Sequence, residues 1–146
     1  MYSKNILLVE DNPSDADLAS RALEKCKIEG TLIVKEDGEA ALKYLFEECG
    51  QPDNDRFPGL ILLDLNLPGV SGMEILRLVR EHEITRRIPV VILTTSSEEL
   101  DGDNTYNLGA NAYIRKPVDS ERFLVAVNYL GLSWLLKDER KERFYF

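Results

Sequence analysis

The apolar runs Ile6-Leu7-Leu8-Val9, Leu60-Ile61-Leu62-Leu63 and Val90-Val91-Ile92-Leu93 restrict this chain to few architectures. Each is too short for a helix and too uniformly apolar for a sheet with one wet face, and segments of helical period separate them. Strands of that kind are buried on both sides, in a parallel sheet carrying helices on each face. Two weaker runs complete the set. Thr31 to Lys35 has the polar ends of an edge strand, and Ala112 to Arg115 stops at Lys116-Pro117 because proline cannot donate to a ladder.

The helical segments follow. The first opens at Asn12-Pro13 and places Leu18, Ala22 and Cys26 at four-residue spacing, with Ala19 and Leu23 beside them. A second follows Asp37-Gly38 with Ala41, Leu42, Leu45 and Phe46 inward, and a third carries Met73, Ile75, Leu76 and Val79 on one face. A helix over Glu98 to Leu108 is weakened by Asp101-Gly102-Asp103-Asn104, all poor interior helix residues. The last starts at Asp119 or Ser120 and runs through Phe123, Leu124, Val127 and Leu130, with Trp134-Leu135-Leu136 as an extension. Cys49 to Gly59 reads as a polar loop before a strand at Leu60 to Leu63.

With 146 residues, 44% of them hydrophobic, the chain suits one domain. We expect that domain to span 1–137, followed by a short tail, 138–146, and no separate output domain: the ten residues after Leu136 are too few for a helix-turn-helix. A net charge of -8 and a pI near 4.7 argue against nucleic acid held by bulk electrostatics. No apolar run reaches membrane-span length, and Met1-Tyr2-Ser3-Lys4 leads straight into a strand, so no membrane association is expected. Cys26 and Cys49 have no metal-ligand spacing and read as reduced thiols of a cytoplasmic protein.

Chemistry gathers at the strand ends. Glu10 and Asp11 follow the first strand, Asp64 the third, Thr94 the fourth and Lys116 the fifth. In a right-handed doubly wound sheet these ends meet at one crevice. A desolvated carboxylate is costly unless compensated, and a divalent cation such as Mg2+, which favours hard oxygen ligands, compensates several at once. A lysine and a hydroxyl beside the acids suit phosphoryl oxygens, so the set fits phosphoryl transfer to a carboxylate with Asp64 as nucleophile. A lone Asp after a strand is ordinarily a helix cap or turn former. The joint occurrence in this order argues otherwise.

From Lys4 to about Leu130 the chain resembles the receiver domain of two-component response regulators. The matching pieces are Ile6 to Asn12, Leu62 to Pro68 with Gly72 beyond, Val90 to Thr94, and Gly109 to Pro117. The resemblance implies a flavodoxin-like α/β three-layer fold with a five-stranded parallel sheet in the order 2-1-3-4-5. It implies that Asp64 is the phosphoacceptor, Asp11 the direct Mg2+ ligand and Glu10 the holder of metal-bound water, with Asn66 offering its carbonyl. Thr94 matches the switch hydroxyl, Tyr113 the aromatic switch, Lys116 the lysine that pairs with phosphoryl oxygens, and Pro117 a proline usually preceded by a cis bond. Such a protein takes its phosphoryl group from a histidine kinase or a phosphotransfer protein and signals through protein contacts, without enzymatic turnover beyond its own phosphorylation and dephosphorylation.

More narrowly, the loop before Leu60, the run Arg87 to Ser96, Lys116-Pro117-Val118 and the aromatic-rich Tyr129 to Leu136 resemble single-domain regulators paired with phytochrome-type photoreceptor kinases. Asp101 to Asn104 departs from that pattern. A haloacid-dehalogenase-type phosphatase would need a general acid where Asn66 stands, and amide groups do not transfer protons. A flavodoxin-like FMN carrier would meet repulsion between its phosphate and Glu10-Asp11. His82, the one histidine, reads as solvated. Tyr129, Leu130, Leu132, Trp134, Leu135 and Leu136, with Phe144 to Phe146, exceed the core needs of a receiver and suggest a homodimer.

Overall fold

The computed structural model describes residues 3–49, 56–95 and 109–137. The helix expected over Glu98 to Leu108 and the tail from residue 138 lie outside the described residues, as does most of the loop after Cys49.

Five parallel strands, β1 (Asn5–Val9), β2 (Leu32–Lys35), β3 (Pro58–Asp64), β4 (Val90–Thr94) and β5 (Ala112–Arg115), form one sheet in the order β2-β1-β3-β4-β5. The register pairs Val9 with Lys35 and Leu63, Asp64 with Leu93, and Thr94 with Arg115, so the carboxyl ends line one edge. Helices α1 (Pro13–Lys25), α2 (Gly38–Lys43) and α3 (Gly72–Glu81) lie between successive strands, α4 (Ser120–Tyr129) follows β5, and α2 passes directly into a π-helical turn, Tyr44–Glu48. Asn12, Asp37, Ser71 and Asp119 cap the four helices by accepting a hydrogen bond from a backbone N–H in the first turn.

The pleat divides the core in two. Ile6, Leu8, Leu60, Leu62, Val91, Leu93, Ala112 and Ile114 face α1 and α4, meeting Ala19, Ala22, Leu23, Phe123 and Val127. Leu7, Val9, Ile61, Leu63, Val90 and Ile92 face α2 and α3, meeting Ala41, Leu45, Ile75, Leu76 and Val79. The side chains alternate faces because successive Cβ atoms of a strand do.

Several expectations require correction. Leu18 is 44% exposed: of the expected inward residues of α1, Ala19, Ala22 and Leu23 are buried and Cys26 packs against the core, and only Leu18 points outward. Leu124 likewise sits on the outer side of α4. Cys49 belongs to the core rather than to a polar loop, because the π-helical turn draws it under the sheet, where its thiol donates to the Leu45 carbonyl. Pro58 and Gly59 are the first residues of β3, not the end of a loop. Trp134 to Leu136 do not extend α4, which ends at a left-handed Gly131 before a short 3-10 turn, Ser133–Leu135. Leu132 and Leu135 are buried in this chain's own core, with Leu130, Trp134 and Leu136 packed against it. Among the described residues the apolar excess read as a dimer surface therefore shrinks to Tyr129, with Leu124 and Val125 beside it, while Phe144 to Phe146 lie outside them. Among the described residues no helix is long and apolar enough to cross a membrane.

Candidate functional site

The alternation that builds the core also aims the site. Asp64 continues the parity of Leu60 and Leu62, and Glu10 and Lys116 extend that of Leu8 and Ile114, so all three approach the α1 face of the sheet edge. Thr94 and Tyr113 have the opposite parity, toward the α3 face. Thr94 is buried at the end of β4, and its carbonyl accepts the Lys116 N–H at 2.7 Å, which ties β4 to the lysine-bearing turn. Tyr113 is half-buried against the α3-side core. The Lys116–Pro117 peptide bond is cis.

Lys116 Nζ lies 2.5 Å from Glu10 Oε1, 2.9 Å from Asp64 Oδ2 and 3.5 Å from Asp15 Oδ2. The Asn66 N–H donates to Asp64 Oδ1 at 3.0 Å and the Asn12 N–H to Glu10 Oε2 at 3.3 Å. Both oxygens of Asp64 are thereby engaged. Gly72 lets α3 start against the Asp64 backbone, since a Cβ there would stand 2.3 Å from the Asp64 carbonyl oxygen.

Burial pushes the Glu10 carboxyl up to about 7, helped by its hydrogen bond with Asp64 and opposed by Lys116. Burial also acts to raise Asp64, but hydrogen bonds from Glu10, Lys116 and the Asn66 N–H outweigh it and hold the carboxyl below its ordinary value. Lys116 would lose its proton more easily for its burial; the two carboxylates reverse that and raise it. The deep Glu10 carboxyl therefore favours its protonated form, while Asp64, beside the Lys116 ammonium, favours its ionised form.

Glu10, Asp11 and Asp64 each offer a carboxylate oxygen, all within 4.8 Å of one another, with Asp11 exposed and the other two buried. Clustered hard oxygens with one ligand open to solvent fit a divalent cation that retains water. The sequence reading brought together Glu10, Asp11, Asp64 and Lys116 correctly in space. It missed Asp15, whose signal was its place in the first turn of the helix that opens at Asn12-Pro13.

Residues 6–128 match the response regulator receiver domain. The chain belongs to that family. It is a signalling protein of two-component systems, and such receivers bind a divalent metal at an acidic pocket and interact with histidine kinases or phosphotransfer proteins. Response regulator Rcp1 of Synechocystis is 39% identical over 132 residues, 90% of this chain and 89% of Rcp1. Its solved Mn(2+)-bound form has a TM-score of 0.71 and covers 90% of this chain and 94% of its own. The bacteriophytochrome response regulator AtBRR is 44% identical, with a TM-score of 0.80 over 94% of this chain and 99% of its own. The phosphorylated cyanobacterial phytochrome response regulator RcpA is 38% identical, with a TM-score of 0.72 over 91% of this chain and 94% of its own.

Proposed function

We propose that Asp64 accepts a phosphoryl group and that Lys116, Thr94 and the Glu10-Asp11 pair serve that transfer. The observation that carries this reading is the Lys116 ammonium 2.9 Å from an ionised, nearly buried Asp64 carboxylate. An Asp64 oxygen attacks phosphorus, the new O–P bond replaces the P–N bond of a phosphohistidine, and the imidazole leaves with a proton from solvent. Lys116 then shifts a hydrogen bond from the carboxylate to a phosphoryl oxygen. Glu10, Asp11 and Asp64, with the Asn66 carbonyl, would hold Mg2+, which when bound offsets charge on the phosphoryl group. Thr94 would turn its hydroxyl to a phosphoryl oxygen, and Tyr113, on the same side of the sheet, would follow into the space released, altering the surface next to β5.

The donor is a histidine kinase, of the phytochrome photoreceptor type on the strength of the similarity to AtBRR and RcpA. Domain 1–137 acts as a unit with no enzymatic role beyond its own phosphorylation cycle, and its free thiols suit the cytoplasm. A homodimer would use Leu124, Val125 and Tyr129 of α4, the last 79% exposed. Sedimentation of a Val125→Glu, Tyr129→Glu double variant against the parent tests that contact; equal masses would refute it.

Acetyl phosphate with Mg2+ should label the parent at Asp64, mapped by mass spectrometry, and leave Asp64→Asn unlabelled. Asp11→Asn should weaken Mg2+ on the order of tenfold, since a ligand charge is lost. Phosphate mapped to another residue would overturn the assignment.

A further inference from the structure

Asp15 closes no strand. It stands in the first turn of α1, where its backbone N–H donates to Asn12 Oδ1 at 3.0 Å and its Oδ2 faces Lys116 Nζ at 3.5 Å. The three carboxylates around the ammonium differ in depth: the side chains of Glu10 and Asp64 are 1% and 5% exposed, that of Asp15 31%. The first two hold Lys116 from within the sheet edge. Asp15 holds it from the more exposed side.

Three carboxyl groups crowd the ammonium: it donates hydrogen bonds to Asp64 and Asp15, and Glu10 Oε1 stands against it at 2.5 Å. A phosphoryl oxygen can be bonded only when one of these contacts is given up. The longest and most exposed is the one to Asp15. We propose that Asp15 is a positioning residue that competes with the phosphoryl group for the Lys116 ammonium and so lowers occupancy of the phosphoryl site. This rests on the reading of Asp64 as acceptor and Lys116 as its phosphoryl partner. Asp15 is then a built-in bias toward the unphosphorylated state, set by a residue outside the strand ends.

The test is calorimetric titration of the full chain with beryllofluoride, a phosphoryl mimic, at saturating Mg2+. Asp15→Asn keeps the backbone N–H that Asn12 caps, so α1 starts as before. It should bind about threefold tighter, the scale of a partly exposed ion pair, while Asp15→Glu, which restores the carboxylate, stays near the parent. In a Lys116→Met background Asp15→Asn should bring no improvement. Unchanged or weaker binding by Asp15→Asn overturns the proposal, as does equal tightening without Lys116, which would mean plain charge repulsion. A parent that does not bind beryllofluoride, or an Asp64→Asn chain that binds it equally, overturns the underlying reading as well and is distinguishable because it appears before any change at Asp15.

Discussion

Lys116 Nζ reaches Asp64 Oδ2 across 52 positions of sequence, at 2.9 Å. The two residues close β5 and β3, strands separated in the sheet by β4, and the lysine crosses below the end of that intervening strand. One cation thus ties the Asp64 carboxylate and Glu10 to the turn before α4, so removing charge at any of the three is felt by the others.

Replacing Lys116 by Met leaves two nearly buried carboxylates facing one another. Breaking a buried pair costs roughly 3–5 kcal/mol. The loss here should be smaller, about 2 kcal/mol in metal-free urea unfolding, because Glu10 can keep a proton. Saturating Mg2+ should recover most of it. Stability equal to the parent without metal would show that the ion pair is not structural.

The metal-free protein should lose stability as pH rises from about 4.5 to about 7. Across that window folded Glu10, raised by burial, retains a proton that the unfolded chain has released, so the folded state binds more protons and is penalised by their removal. Asp64 works in the opposite sense and lower down: its lowered value contributes stability that is complete above the ordinary 3.8 and is lost on further acidification. Thermal unfolding in chelator at pH 5 and pH 7.5 should show the fall, and Glu10→Gln should flatten it. A parent whose stability stays level or rises between these pH values would contradict the burial argument.

Gly72→Ala should harm the site without touching a charged group. Its Cβ would fall 2.3 Å from the Asp64 carbonyl oxygen and 2.7 Å from Leu65 Cα, so α3 or the end of β3 must move. Overpacking of this kind costs about 1–3 kcal/mol, and acetyl phosphate labelling should slow as well. Parental stability and labelling together would mean that the two segments part freely.

Arg80 is expected to be a fold determinant. Its guanidinium donates to the carbonyls of Arg86, Ile88 and Gly109 and to Asn111 Oδ1, which also accepts the Val90 N–H. Arg80→Ala takes this donor from the three carbonyls, a loss of about 2–4 kcal/mol from several unmade bonds, while Asn111 Oδ1 keeps the Val90 N–H. Lys at this position should recover little, having no planar fork. Urea midpoints of the three chains decide it.

The sequence by itself determined the strands and the acids at their ends. Uniform apolar runs such as Ile6 to Val9 are stable only between two helical layers, and polar groups just beyond them have nowhere to lie except the sheet edge. The helix starts at Asn12, Asp37 and Asp119 were legible for the same local reason: each side chain accepts from an N–H three residues on. What covers a helix is not local. Leu18 and Ala19 both fit a helical period, and only the position of α1 over Ile6, Leu8 and Leu62 decides that Ala19 is inside. Leu132 and Leu135 looked surplus because the 3-10 turn that folds them under α1 and α4 has no periodic signal. Asp15 is the same lesson at the site: its partner Lys116 is 101 residues away, and the contact exists because α1 packs on the face that the parity of β5 gives to the lysine.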